Sequence, residues 1–411
     1  MNPRPCFKSG RWIIPYRHAS RIAVFTSAAA LIQQSRGFFI ISAIVELQEL
    51  KRAIIARHAR PENGKAFFQV MTTLLPLALL WYGAARSVAL SYWLTAGVIG
   101  LMSLFLLRAF VLMHECGHGS LFRTARLNRA CGFIFGVVTG MPQYVWSRHH
   151  LHHHSTNGNW NKYRGPLNVI PTSEYAAMSS LQQRRFANAR HIRMVPVAGF
   201  LYLIFHPRVS LLKGSISLLV YVIKSRIAQP GISARAHMLA FKTAHWSSAR
   251  EFRHMLYNSI ALIALWALLA WAVGPLLFVV CYTVSVSLAG AAGILLFTVQ
   301  HNFEHSYASH DAGWDSNTAA IDGTSFLVLP RWLEWFTANI GYHHIHHLSA
   351  RIPNYRLREC HKENNHLFSA VTRIGLAGIP RAFRCVLWDT MARRIISIAE
   401  YRELMLRAAE T

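Results

Sequence analysis

Apolar residues gather into four long runs, at 66–85, 90–112, 256–273 and 276–299. Each has the length of about 20 residues that a helix needs to cross a bilayer. Arg86 separates the first pair and Gly274-Pro275 the second, so each pair reads as a helical hairpin with a very short turn. Two further segments are apolar but poor spans: 131–142 is too short, and 196–223 is broken by Pro207, Arg208 and Lys213. Helices lying in the interface plane fit both better. The alternative is a fifth and a sixth crossing, which returns the chain to the same side. From Leu47 an amphipathic stretch leads into the first run. The expected fold class is an all-α integral membrane protein: two transmembrane hairpins (four spans) under a cytoplasmic helical cap.

Composition agrees, with 53% hydrophobic and 15% charged residues and a mean hydropathy of +0.24. The net charge of +26 is concentrated in 113–255 and 300–411, and the hairpin turns carry almost none. Because cytoplasmic segments of membrane proteins are enriched in Lys and Arg, both termini are expected in the cytoplasm, of a bacterial inner membrane. Some of the excess contacts anionic headgroups. No recognition motif supports a nucleic-acid partner. Residues 1–46 form a basic extension whose first carboxylate is Glu46. It matches a cleavable signal poorly, and is expected to be disordered or interfacial, with the functional chain starting near Val45. The six cysteines contain no CxxC pair, so disulfides are not expected. Cys116 reads as a small residue where a helix packs closely.

The chemistry lies in the histidines. Ten of the 23 fall in four clusters that repeat two spacings: His114/His118, then His150/His153/His154, then His301/His305, then His343/His346/His347. An i,i+4 pair and an i,i+3,i+4 trio each put imidazoles on one side of a helix. Both pairs follow directly on the end of a span, so two packed hairpins bring them together and the trios close the site. Neutral imidazole binds several transition metals. Ten are too many for one ion, since zinc takes about four ligands, and suit two, with positions left for oxygen or water.

The order HxxxH, HxxHH, a third histidine element and HxxHH resembles the membrane fatty acid desaturases, and most nearly the bacterial acyl-lipid desaturases. The segments HECGHGS, HHSTNGNWNKYRGPL, QHNFEHSY and NTAAIDGTSFLVLPRWLEWFTANIGYHHIHHLSARIPNYRL carry the resemblance. It covers roughly 47–370, expected as the desaturase domain, leaving 371–411 as a C-terminal cytoplasmic helical tail. The resemblance implies two non-haem irons that use O2 and two electrons to remove two hydrogens from adjacent methylenes of a lipid acyl chain. By position the implied ligands are His114, His118, His150, His153, His154, His301, His343, His346 and His347. His305, in helical register with His301, divides evenly between ligand and outer support.

Neighbouring roles follow. His149 and His152 offer a competing register for the first trio, and His344 is expected outside the metal or solvated. Asp311, Asp315, Asp322 and Glu304 are candidates to orient imidazoles through their second nitrogen. Trp146, Trp160 and Tyr342 either line the acyl path or anchor at the interface. No dinucleotide fingerprint, CxxC pair or haem element is present, so an external donor such as a ferredoxin is implied. Two rivals share the residues: a di-iron hydroxylase or ketolase, and an intramembrane zinc protease using H-E-x-x-H at 114–118, with Glu115 as base. The protease leaves seven clustered histidines without a role.

Overall fold

The computed structural model describes residues 37–410. Most of the basic extension, 1–36, lies outside the described residues. The first half runs through α1 (Gly37–His58), α2 (Asn63–Ser87), α3 (Tyr92–His118), α4 (Ala125–Thr139), α5 (Gln143–Thr156) and α6 (Ser180–Ala189). The second runs through α7 (Val195–Phe200), α8 (His206–Ala228), α9 (Ala249–Val273) and α10 (Pro275–Val299), then α11 (Arg331–Phe336), α12 (His343–Leu348), α13 (Asn354–Glu363) and α14 (Ile398–Glu410).

Both expected hairpins form, as α2–α3 and α9–α10. Ser91 opens α3 by accepting from the Trp93 amide, and Gly119 at φ 70 closes it immediately after His118. A left-handed residue there is cheapest as glycine. Gly274 at φ 88 and Pro275 at the first turn of α10 make the second hairpin turn. Proline is tolerated there because that N–H has no helical partner.

Five helices among the described residues have the length and apolarity of a span, the fifth being Ile192–Ala228. The segment read as broken is therefore a continuous helical run. A π-helical turn at Leu201–Phe205 joins α7 to α8 just before Pro207, and the Leu203 carbonyl, which a proline four residues on cannot serve, accepts from Arg208 Nη1 at 3.2 Å. Arg208 is satisfied inside it: one guanidinium nitrogen donates to the Gly140 carbonyl and the other to Asn258 Oδ1 at 2.6 Å.

The hairpins and α7 are pulled close by missing side chains. Gly199 of α7 meets Gly290 of α10 so tightly that a Cβ on Gly199 would sit 2.5 Å from the Gly290 carbonyl carbon. Arg108, buried in α3, ties three elements: its Nε donates to Thr73 Oγ1 of α2 at 3.0 Å, a terminal nitrogen reaches the Trp335 carbonyl of α11, and the guanidinium lies 3.9 Å over the Trp335 ring. A charge at that depth persists only with such partners.

The segments outside the long apolar helices are not purely helical. Strands β1 (Ile170–Pro171), β4 (Leu387–Asp389) and β5 (Arg394–Ile396) form one small sheet, with β1 parallel to β4 and β4 antiparallel to β5. Strands β2 (Phe326–Val328) and β3 (Arg373–Gly375) form a parallel pair. The expected helical tail is thus helical over α14 and the short helix Ile379–Phe383, and its strands β3, β4 and β5 are woven into the cap. Short strands flanked by Arg, Asp and Gly carry too little alternation to be read from sequence.

Replacing Gly199 by Val should lower stability by about 1–3 kcal/mol through the forced separation of α7 and α10. Gly97→Ala, at a position with nothing within 4 Å, should be neutral or slightly stabilising. Thermal melting of both variants in detergent tests this contact.

Candidate metal centre

The nine histidines with clear positions converge, and they sort into two groups. His114, His118, His150, His154 and His346 form one; His153, His301, His343 and His347 form the other. Within each group the ligating nitrogens lie within 4.8 Å of one another. The trios do not act as single faces. In α5, His150 and His154 serve the first group and His153 the second; in α12, His343 and His347 serve the second and His346 the first. Each HH doublet therefore straddles the two groups, and the two helices divide their rings in opposite ways.

His149 and His152 are exposed while His150 and His153 are buried, which selects the 150/153/154 register. His305 does not join. Helix α10 ends at Val299, because the Gln300 side chain donates to the Ile340 carbonyl at 2.8 Å and the Ser325 amide to the Gln300 carbonyl at 3.0 Å, drawing the chain into the cap. Without helical register the His305 side chain is 74% exposed, and its nearest charged neighbour is Glu304 at 3.9 Å. His344 is fully buried rather than solvated, paired with His361 at 3.1 Å.

The donor set fits metal. Nε2 atoms face one another at 3.2 Å (His114–His118), 2.9 Å (His150–His154) and 3.1 Å (His154–His346) in the first group. In the second they stand at 3.1 Å (His153–His301), 2.9 Å (His301–His343) and 3.3 Å (His153–His347). A metal with M–N bonds of about 2.1 Å has neighbouring ligand atoms about 3.0–3.4 Å apart. Two rings are oriented through the other nitrogen: His114 Nδ1 meets Glu115 Oε1 at 3.1 Å, and His301 Nδ1 meets the Gly323 carbonyl at 3.3 Å. A proton held at Nδ1 leaves the Nε2 lone pair directed inward.

Burial first, and neighbouring imidazoles second, hold His150, His153, His154, His343, His346 and His347 well below the usual histidine range. Burial lowers His301 to about 3. These rings are neutral at physiological pH, the form that ligates metal.

Glu115 is the supporting residue that the sequence reading assigned elsewhere. Its fully buried carboxylate touches His114 and accepts from Ser120 Oγ at 3.1 Å and from the Asn354 amide at 3.0 Å. It thus fixes a ring and ties α3 to α13, and is not poised as a protease base. Its place beside a ligand on a span end was the available signal. The other carboxylates go elsewhere. Asp311 accepts from Asn159 and Asn161, Asp315 caps the turn at Asn317 and Thr318, and Glu304 pairs with Arg381 and Arg394. Asp322 has no contact with the nine rings among the hydrogen bonds and ion pairs of the described residues, and burial pushes it up to about 6.

Close packing makes the convergence possible. Gly117 faces α5 so closely that a Cβ would fall 2.2 Å from Ser147 Oγ, and buried Cys116 lies against Gly132 of α4. This accounts for the glycine within HECGH and for the small residue beside it. Beneath the rings lies an apolar cavity of about 440 Å³, reached by His114, His150 and His343 at one end and walled by α3, α7 and α10. Trp146 lines it, stacked on His150 at 4.5 Å. Trp160 packs on Trp388 instead, and Tyr342 donates its hydroxyl to Glu334.

Fold and site together define a helical membrane protein with a histidine centre able to bind metal, set above an apolar cavity. The fatty acid desaturase family model matches residues 87–372, and the chain belongs to that family of oxidoreductases. It is 31% identical over 351 residues to a fatty acid desaturase of Bacillus subtilis, covering 85% of this chain and 90% of that one. It is 24% identical over 339 residues to an sn-1 oleoyl-lipid 12-desaturase of Synechocystis, covering 78% and 82%. An sn-1 acyl-lipid omega-3 desaturase (ferredoxin) of Nostoc is 32% identical over 114 residues, 28% of this chain and 31% of that one.

Two outcomes follow from the site. Glu115→Gln should weaken metal retention about 10- to 100-fold, read by metal content against a graded chelator. Metal-free protein should lose stability as pH falls. The folded-state values of these histidines lie below the usual 6.5, so their stabilising neutral form is complete above that pH. Melting temperatures of chelated protein should fall progressively below about pH 6.5, and divalent metal should restore them by competing with protons.

Proposed function

We propose that this chain is an O2-dependent desaturase that introduces a double bond into the acyl chain of a membrane lipid through two irons held by the nine histidines. The observation that carries this is the division of nine neutral imidazoles into two adjacent groups at the head of an apolar cavity. His114, His118, His150, His154 and His346 would hold one iron, and His153, His301, His343 and His347 the other, with His305 free of both. Bound iron would supply the O2 activation and hydrogen abstraction that no side chain provides. The balance is one –CH2–CH2– unit, O2, two electrons and two protons giving –CH=CH– and two waters.

The chain's own part is placement. The cavity wall aligns the methylenes below the rings and keeps water from them. Trp146 and Phe110, edge to face at 5.2 Å, form the wall nearest His114 and His150. The electrons come from a separate donor, a ferredoxin-type protein being favoured by the name of the Nostoc relative and by the basic cap.

For topology we take α2, α3, α9 and α10 as the four crossings, with termini, cap and histidines cytoplasmic. Ile192–Ala228 then lies at the cytoplasmic face of the membrane without crossing it. Its support is that Arg190, just ahead of the run, is bonded to the cap carbonyl of Leu167, while Gly214 within it packs on His245 and Trp246, just ahead of α9. The functional unit spans about 47–370, with 371–411 completing the cap.

Expression in a host lacking the activity should yield new double bonds in its lipids, and purified protein should contain about two irons per chain. Hydroxylated products would favour the oxygen-inserting reading, and one zinc without iron would overturn both. His346→Ala should abolish product formation and lower iron content; a fully active variant removes that residue from the site.

A further inference from the structure

The cavity has one charged lining residue besides the imidazoles, Arg190, which follows α6 directly. Its position is held by the protein: Nη2 donates to the Leu167 carbonyl at 2.8 Å and to that of Asn168 at 3.4 Å. The guanidinium also lies 3.5 Å over the Phe186 ring. Its Nε–H is buried without a hydrogen-bond partner. Among the described residues no carboxylate forms an ion pair with it, although burial lowers it only to about 10, leaving it cationic at neutral pH. A fixed guanidinium with an unused donor and no counter-charge is suited to an anionic oxygen group.

The surroundings say where that anion comes from. Directly after Arg190, exposed Ile192, Met194, Val197 and Leu201 present an apolar surface along the start of the run Ile192–Ala228. Arg184, Arg185 and Arg193 are exposed around the same point. Between Glu174 and Glu251 the chain contains no carboxylate. A cationic belt beside exposed apolar side chains matches the boundary between headgroups and acyl chains. A soluble thioester would meet no need for those apolar side chains.

We propose that Arg190 is a headgroup-binding residue at the mouth of the cavity, holding the phosphate of a membrane glycerophospholipid while one acyl chain runs inward beneath the histidines. The proposal rests on the acyl-chain reading of the cavity given above. Arg190 then acts as a specificity residue: it fixes the phosphate, and the distance from phosphate to metal selects the carbons presented.

The test is binding, read without turnover, to the intact protein in detergent. Probes are phosphatidylglycerol and diacylglycerol with identical acyl chains, and palmitoyl-CoA. Wild-type protein should prefer phosphatidylglycerol to both. Arg190→Gln should lose roughly 10- to 100-fold in affinity for phosphatidylglycerol with little change for diacylglycerol, the scale of one charge-assisted hydrogen bond. Arg190→Lys should fall between, and Arg402→Gln, in α14, should retain wild-type affinity. Because Arg190 also clamps three carbonyls, those of Phe186, Leu167 and Asn168, wild-type protein supplies a second measurement. A phosphatidylglycerol analogue with a photoreactive group beside its phosphate should label residues 164–193. An unchanged preference in Arg190→Gln, tighter wild-type binding of palmitoyl-CoA, or labelling confined to other segments overturns the proposal. If the lipid binds at Arg190 but no double bond ever forms, the desaturase reading fails and this site stands.

Discussion

Nine imidazoles turn their ring nitrogens into two adjoining groups, and that crowding is the constraint on which the rest of the structure depends. Facing Nε2 atoms at 2.9–3.3 Å cannot all be joined by protons, because each neutral ring has one N–H and two are committed to Glu115 and Gly323. Charging the rings is no remedy, since burial and mutual repulsion both oppose it. A metal ion bound in each group, as proposed, would resolve the conflict. The protein must supply the rigidity that holds the arrangement together before one arrives.

That rigidity is built from span ends and close backbone contacts. α3 delivers His114 and His118 in its last turn and is stopped at once by Gly119. α5 crosses α3 at Gly117, where no side chain fits, and so presents His150 and His154 to that pair. α12 comes down from the cap, anchored by the Asn354 amide on Glu115 and by Gln300 on Ile340. The same clamps that place the rings define the cavity below them, so the histidine groups and the cavity are one packing problem.

Much of this was legible in the chain. The four runs and their short turns mark the hairpins because membrane helices must be apolar throughout. The histidine spacing marks nine of the ten candidates because helical neighbours fall three or four apart. What the sequence left open was decided by tertiary contacts. The register of His305 depends on where α10 stops, and that is set by Gln300, Ile340 and Ser325, far apart in sequence. Likewise, Pro207 and Arg208 look like breakers until the π-turn and Asn258 are in place. The strands of the cap pair Ile170 with Leu387 and Phe326 with Arg373, long-range contacts with no local pattern.

A trio on one helical face looks built for a single ion, yet adjacent residues on a helix point about 100° apart. Two neighbouring rings in an HH pair therefore cannot share one ion easily, but they can hold two ions on either side of the helix. With α5 giving two rings to the first group and one to the second, and α12 doing the reverse, each helix spans both groups. Neither group can shift without moving the other. Two ions bound there would be coupled through both HxxHH segments, a linkage that a single HExxH site would not require.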